Sequence, residues 1–261
     1  MTPVLDSCRR GTPVRVQNII DMHGHIGRYR FAICDLSVES LVRCMDRLGV
    51  RSIVCSSIQC LSYDQRNGNR LVLDAMLSFP GRILGYLSVR PWPRRKMRDE
   101  ILFGLDNGFA GFKLYNAIGF RYSDPAYAPV YEAADAHRMP ILFHTWGEPE
   151  TFTDIKAAAL CHKNAFFLLA HSGAVNPNAY IEAAAGVPNI YLETCFSRAP
   201  AGLIEKLVAG AGVEKIVWGS DAYFYSQAQQ MGRVAGARLS EDEKSKILSV
   251  NARRILSARR S

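Results

Sequence analysis

Eight short apolar runs recur along this chain at intervals of about 25 to 35 residues, and that rhythm constrains the fold more than any other feature. They are Asn18–Asp21, Ser52–Ser57, Ile83–Val89, Gly111–Tyr115, Pro140–His144, Ala165–His171, Asn189–Thr194 and Lys215–Ser220. The interval is the length of one strand-helix unit. Several runs are nearly continuous in Val, Ile, Leu and Phe, as strands covered on both faces are. The segments between them read as helices. Ser37 to Leu48 puts Val38, Leu41, Val42, Met45 and Leu48 on one stripe. Asp124-Pro125 opens a helix running to about His137, with proline at an early position. Ser240-Glu241-Asp242-Glu243 is a capping-box pattern ahead of the last helix, to about Ala258. Gly49, Gly108 and Gly212 fall near helix ends, where a left-handed residue is often required. Eight such units predict an α/β fold, a closed (β/α)8 TIM barrel, in one domain over residues 1–261. An open doubly wound sheet is the competitor, but no Gly-x-Gly-x-x-Gly follows the first run. Residues Phe224 to Arg238 read as an irregular loop, long enough for a lid or a substrate loop.

Composition narrows the class. A length of 261 residues suits one large core. No apolar run reaches the ~18 residues that a membrane span needs. The first seventeen residues carry Cys8, Arg9, Arg10 and Arg15 and no long hydrophobic stretch, so no secretory signal is read. Seven cysteines (Cys8, Cys34, Cys44, Cys55, Cys60, Cys161 and Cys195) are an odd number, and none forms Cys-x-x-Cys. That pattern predicts a reduced, cytoplasmic protein without a disulfide framework. The net charge is +8. Its basic clusters, Arg94-Arg95-Lys96-Met97-Arg98 and Arg253-Arg254 with Arg259-Arg260, lie on predicted helices or the tail without interleaved aromatics. They read as solvated helix faces and not as a nucleic-acid surface. A positive field also draws small anionic substrates toward a cleft.

In a barrel of this kind the chemistry gathers at the C-terminal ends of the strands. The first run leads into Asp21-Met22-His23-Gly24-His25. In an extended strand, His23 and His25 point to one face and can reach one ion. Later runs end in His144, His171 and Asp221, while the fourth carries Lys113 and the seventh Glu193. Four of the six histidines thus lie at strand ends. The other two, His137 and His162, sit at helix C-termini, where a cation complements the dipole. His23, His25, His144 and Asp221 form a candidate ligand set: three imidazoles and a carboxylate suit one divalent ion, Zn2+ first, with Mn2+, Fe2+ or Ni2+ as substitutes. The plainer alternative makes His144 and His171 buried, hydrogen-bonded side chains. Lys113 shares a strand face with Gly111 and Tyr115. It reads as a cation for a substrate carboxylate, as an ion-pair partner of a residue such as Glu193, or as a carboxylated bridge between two metals. Arg28, Trp146, Glu148 and Tyr223 follow the candidate ligands in loops and are candidate substrate contacts. Cys195 has no evident base beside it and reads as a core or rim residue.

Taken in order, Asp21-Met22-His23-Gly24-His25, Gly111-Phe112-Lys113-Leu114, Phe143-His144, His171-Ser172-Gly173, Gly219-Ser220-Asp221 and Asn251-Ala252-Arg253-Arg254-Ile255-Leu256 resemble the amidohydrolase superfamily. The resemblance is to its amidohydrolase-2 branch, which includes aminocarboxymuconate-semialdehyde decarboxylase. It spans nearly the whole chain. It implies a distorted barrel with one catalytic divalent metal, and a homodimer. His23, His25, His144 and Asp221 match ligands; His171 matches the histidine that transfers protons over the metal, and Asp221 also takes a proton in hydrolytic members. Two positions depart from the pattern: Ala222 stands where proline is frequent, and Tyr115 where a histidine is. Both alter the pocket rim.

The expected activity is hydrolysis of a small polar, carboxylated molecule by metal-activated water, since a divalent ion lowers the pKa of bound water to about 7. The alternative at the same site is non-oxidative decarboxylation of an aromatic or muconate-type acid. A silent binding protein on an inherited barrel is a third reading, opposed by the complete ligand set.

Overall fold

The computed structural model describes residues 3–29, 33, 35–62, 64–91, 94–116 and 119–260, without the side chains of 61, 62, 94 and 95. Cys34 therefore lies outside the described residues. Eight strands pair in chain order, every pair parallel: β1 Ile19–Ile26, β2 Val50–Ser57, β3 Ile83–Ser88, β4 Gly111–Leu114, β5 Pro140–Phe143, β6 Phe166–Leu169, β7 Ile190–Glu193 and β8 Ile216–Val217. A helix follows each strand, so both faces of the sheet are covered. The predicted (β/α)8 barrel is the observed architecture.

Alternation along the strands explains the two apolar clusters. Ile20, Met22, Val54, Tyr86, Leu142, Leu168, Tyr191 and Val217 point inward and fill the barrel, with Ala252 and Ile255 of the last helix joining them. Their strand neighbours, such as Ile53, Leu87, Phe143 and Leu192, point outward to the helices. Nothing but side chains occupies the lower barrel, which leaves the C-terminal rim for polar groups.

The local signals acted as read at several ends. Ser37 caps helix Val38–Leu48 through Ser40 N, and Gly49 closes it at φ 79°. Asp124 caps a 3-10 turn at Pro125–Tyr127 that runs into helix Ala128–Ala136. The Ser240/Glu243 capping box is present in full.

One expectation needs correction. Residues Gln227–Gly236 are a helix capped by Ser226, not part of an irregular loop. Met231, Val234 and Ala235 supply its buried face, but Gln and Gly at the other positions weaken the stripe in the sequence. The first strand ends in the histidine motif, as expected, and reaches Ile26. Asp21 pairs with Ile53 and Gly24 with Cys55, so Met22 and His23 together face Val54 alone. This bulge lets Met22 enter the barrel filling while His23 reaches the rim.

The barrel closes between its first and last strands by Met22 N to Trp218 O (3.0 Å), Asp221 N to His23 O (2.7 Å) and His25 N to Ala222 O (2.5 Å). Among the described residues no helix is long and apolar enough to cross a membrane. The described cysteines, Cys8, Cys44, Cys55, Cys60, Cys161 and Cys195, are free thiols.

Candidate metal centre

The site grows out of the β8–β1 seam. Asp21 is fully buried, and four donors converge on it. Oδ1 accepts from His23 N (3.1 Å) and Ser220 N (2.9 Å); Oδ2 accepts from Ser220 Oγ (2.5 Å) and Gln227 Nε2 (2.8 Å). Burial pushes this carboxyl up to about 6, against the pull of the Gln227 and Ser220 donors. Asp21 therefore ties the motif that carries His23 and His25 to the strand end that carries Asp221.

Across that seam three potential ligand atoms meet. Asp221 Oδ1 lies 2.9 Å from His25 Nε2 and 3.4 Å from His23 Nε2. All three atoms lie within 4.8 Å of one another. A tetrahedral ion with bonds of about 2.0–2.1 Å spaces its ligands by ~3.4 Å. Asp221 Oδ1 is buried and accepts no hydrogen bond among the described residues, despite the nearness of His25. An unsatisfied buried carboxylate oxygen is costly, and a cation held between these atoms would relieve it. The backbone aims the side chain from φ 58° at Asp221, a left-handed conformation braced by its N–H bond to His23 O.

The remaining imidazole faces are held from behind. His25 Nδ1 is 3.0 Å from Ser56 Oγ, and His23 Nδ1 is 2.9 Å from Glu193 Oε2. Such partners orient a ligating ring and set its tautomer. Burial, foremost, lowers His23 and His144 well below the usual histidine range and His171 to about 4. The rings are therefore neutral near pH 7 and keep a lone pair for bonding.

His144 comes from the end of β5 and stands beside the three-atom group, not within it. Its ring is 5.1 Å from that of His171 and 4.8 Å from that of Tyr115. His171, at the end of β6, lies flat against Trp146, with centroids 4.8 Å apart and planes at 13°. Trp146 thus packs on a candidate catalytic ring.

Lys113 points into the same space. It is buried, its Nζ is 3.2 Å from His23 Nε2, and no described ion pair joins it to Glu193. Burial lowers its pKa to about 8, against the pull of the Asp221 carboxylate. Glu193 instead serves His23 and Cys195. Its Oε1 accepts from Cys195 N (2.6 Å), and its Oε2 from Cys195 Sγ (3.0 Å) and His171 N (3.3 Å). Burial pushes its carboxyl up to about 8, while the Cys195 donors pull down. Every polar neighbour can donate, which favours the ionised form and opposes that rise.

Cys195 is not a plain core or rim residue. Its thiol lies 3.1 Å from His171 Nδ1 and 3.3 Å from His23 Nδ1. The sequence signal for it was strand parity: Tyr191, Glu193 and Cys195 share the inward face.

The other loop candidates are not drawn into this group. Arg28 is exposed and lines a cleft of about 730 Å3 with Tyr29 and Leu36. The Tyr223 hydroxyl donates to Ser37 O, and Glu148 Oε2 accepts from Trp146 N (3.2 Å). His137 and His162 cap helices away from the site.

Eight parallel strands with buried imidazoles and a carboxylate at their C-terminal ends define a class of metal-dependent barrel enzymes. Residues 20–257 match the family model described as Amidohydrolase, and the chain belongs to that family. No curated protein matches it in sequence. Solved structures share its fold at low identity. The 5-carboxyvanillate decarboxylase of Sphingomonas paucimobilis is 18% identical, with a TM-score of 0.71 over 92% of this chain and 99% of that one. A dihydroxybenzoic acid decarboxylase of Polaromonas sp. JS666, with bound manganese and the inhibitor 2-nitroresorcinol, is 17% identical, with a TM-score of 0.73 over 94% and 98%. The 4-oxalomesaconate hydratase of Rhodopseudomonas palustris is 17% identical, with a TM-score of 0.72 over 92% and 96%.

Proposed function

We propose that this protein hydrolyses a small carboxylated substrate at one divalent ion held by His23, His25, His144 and Asp221. The observation that carries the reading is the convergence of His23 Nε2 and His25 Nε2 on Asp221 Oδ1, a buried oxygen without a hydrogen bond among the described residues. Nitrogen-rich ligation with one carboxylate suits Zn2+; Mn2+ is the alternative, and the Polaromonas neighbour carries manganese. When bound, such an ion polarises a substrate oxygen and acidifies water.

The chain's own groups then divide the work. His171, neutral and buried, takes a proton at its free ring nitrogen and returns it to the leaving group. Lys113, a buried cation without a described carboxylate partner within salt-bridge distance, neutralises the substrate carboxylate. Trp146 keeps water from one face of His171. A homodimer remains part of the reading by family likeness alone.

One observation favours a second reading. Aromatic rings crowd the rim: Trp146 on His171, Tyr115 against His144 and Phe224 against His25. A planar unsaturated acid suits such walls, and two of the structural neighbours are decarboxylases of aromatic acids by name. In that case His171 delivers the proton to the carbon that loses CO2.

The test is metal analysis followed by turnover. The protein is loaded with Zn2+ or Mn2+ and offered carboxylated esters, lactones and amides beside aromatic and muconate-type acids, with CO2 detection. One equivalent of metal and cleavage without CO2 is the expected result. CO2 release selects the second reading. Absence of bound metal, or activity unchanged in His23→Ala with His144→Ala, overturns both.

A further inference from the structure

We propose that Cys195 is a positioning residue: its thiol fixes the proton of His171 on Nδ1 and leaves Nε2 as the working nitrogen. The inference rests on the reading of His171 as the proton-transfer group. Cys195 is fully buried, so its sulfur acts through neighbours and not on substrate.

The donors and acceptors around the sulfur have one consistent order. Glu193 is the acceptor at the centre. Its oxygens take the backbone N–H groups of Cys195 (2.6 Å) and His171 (3.3 Å), together with the Cys195 thiol (3.0 Å) and His23 Nδ1 (2.9 Å). Both oxygens already take backbone N–H donors, so the carboxyl is read as ionised and accepting: S–H points to Oε2 and Nδ1–H of His23 points to the same oxygen. The sulfur is left with lone pairs, and His171 Nδ1 lies 3.1 Å from it. That nitrogen must then carry the proton. Both histidines are driven into the same tautomer, and each presents an unprotonated Nε2. In His23 this nitrogen meets Asp221 and His25; in His171 it is free to take a proton.

Trp146 completes the hold. Its stack on His171, with planes at 13°, fixes the ring plane. Stacking is indifferent to which edge of the ring faces the wall, and the thiol supplies that distinction.

The four groups could also be read as a second metal site, since their atoms lie within 4.8 Å of one another. The hydrogen bonding distinguishes the two groups. Both oxygens of Glu193 are satisfied, by Cys195 N, the Cys195 thiol and His171 N, whereas Asp221 Oδ1 has no such donor among the described residues.

The test reads ring nitrogens directly. Wild-type protein and Cys195→Ala, Cys195→Ser and Cys195→Val variants are labelled with 15N-histidine and compared by NMR, metal-free and with Zn2+. The His171 signals are assigned by their loss in His171→Asn. Wild type should hold His171 as the Nδ1–H tautomer. Cys195→Ala should weaken that preference about tenfold, the worth of one net hydrogen bond. Cys195→Val, which keeps volume without an acceptor, should do the same, and Cys195→Ser should restore it. Calorimetry should find one Zn2+ equivalent in every variant. An unchanged His171 tautomer in Cys195→Ala and Cys195→Val overturns the proposal. So does a second Zn2+ equivalent that disappears with the thiol. Failure of the metal reading is separate: it shows as no bound Zn2+ in wild type, while the tautomer is still measured metal-free.

Discussion

Gly219 stands directly over the carboxyl group of Glu193. A Cβ there would lie 2.7 Å from Glu193 Cδ and 2.8 Å from His23 Cβ. The glycine of the Gly219-Ser220-Asp221 motif is thus explained by space and not by backbone freedom: any side chain would displace the group that holds His23. We expect Gly219→Ala to cost about 1–3 kcal/mol by overpacking. Gly232 is the control, since it lies within helix Gln227–Gly236 and a Cβ there would meet nothing within 4 Å. Gly232→Ala should gain roughly 0.5–1 kcal/mol. Urea midpoints of the two variants measure the contrast, and equal stability would refute the steric account.

Glu193→Gln tests the support of His23 without touching a candidate ligand atom. Loss of such a partner typically lowers metal affinity about 10–100-fold. Zn2+ calorimetry should find that loss with the stoichiometry unchanged. A variant that binds as tightly as wild type would mean that the 2.9 Å contact to His23 Nδ1 does not orient the ring.

Asp21→Ala removes the acceptor of four donors in one buried place. Each buried donor left without a partner costs about 1–3 kcal/mol. We expect a loss of at least ~3 kcal/mol in chemical denaturation. A loss below ~1 kcal/mol would show that the β8–β1 seam closes without Asp21.

The Asp154–Arg121 pair gives a pH signature away from the site. Burial alone would raise the Asp154 carboxyl, but Arg121 at 2.7 and 3.1 Å and Ser123 hold it below the usual value. A depressed native value means that the unfolded chain binds the proton more readily. The contribution is therefore full above the unfolded value of about 3.9 and fades as pH falls through the lower native one. Wild type should exceed Asp154→Asn in stability at pH 6, and the gap should narrow at pH 3. A constant gap in urea midpoints would exclude the charge as its source.

Much of the barrel was legible because parallel strands covered on both faces are written as apolar runs. That His23, His25, His144, His171 and Asp221 gather at one end of the barrel was legible for a related reason: polar residues that end such runs stand out. The contacts of Asp21, Glu193 and Cys195 were not. Each carries a plain residue type, and the partners that give it a role come from far away: Glu193 meets His23 across 170 residues, and Ser220 meets Asp21 across 199. The helix Gln227–Gly236 escaped notice because glutamines, Gln227 and Gln230, occupy two positions of its buried stripe. The bulge at Met22-His23 leaves no trace in residue type, since it is a property of pairing with β2.

The closure of the barrel has a consequence for when this protein can acquire its chemistry. His23 and His25 emerge early in synthesis, whereas Asp221 lies on the segment after β8 and docks on the first strand through Asp221 N and His23 O. The candidate ligand atoms of His23, His25 and Asp221 come together only when the two ends of the sheet meet, among the most distant encounters the chain must make. A molecule folded only as far as β5 would hold His23, His25 and His144 without the Asp221 carboxylate. Completion of the fold and completion of the proposed ligand set are, in this arrangement, one event.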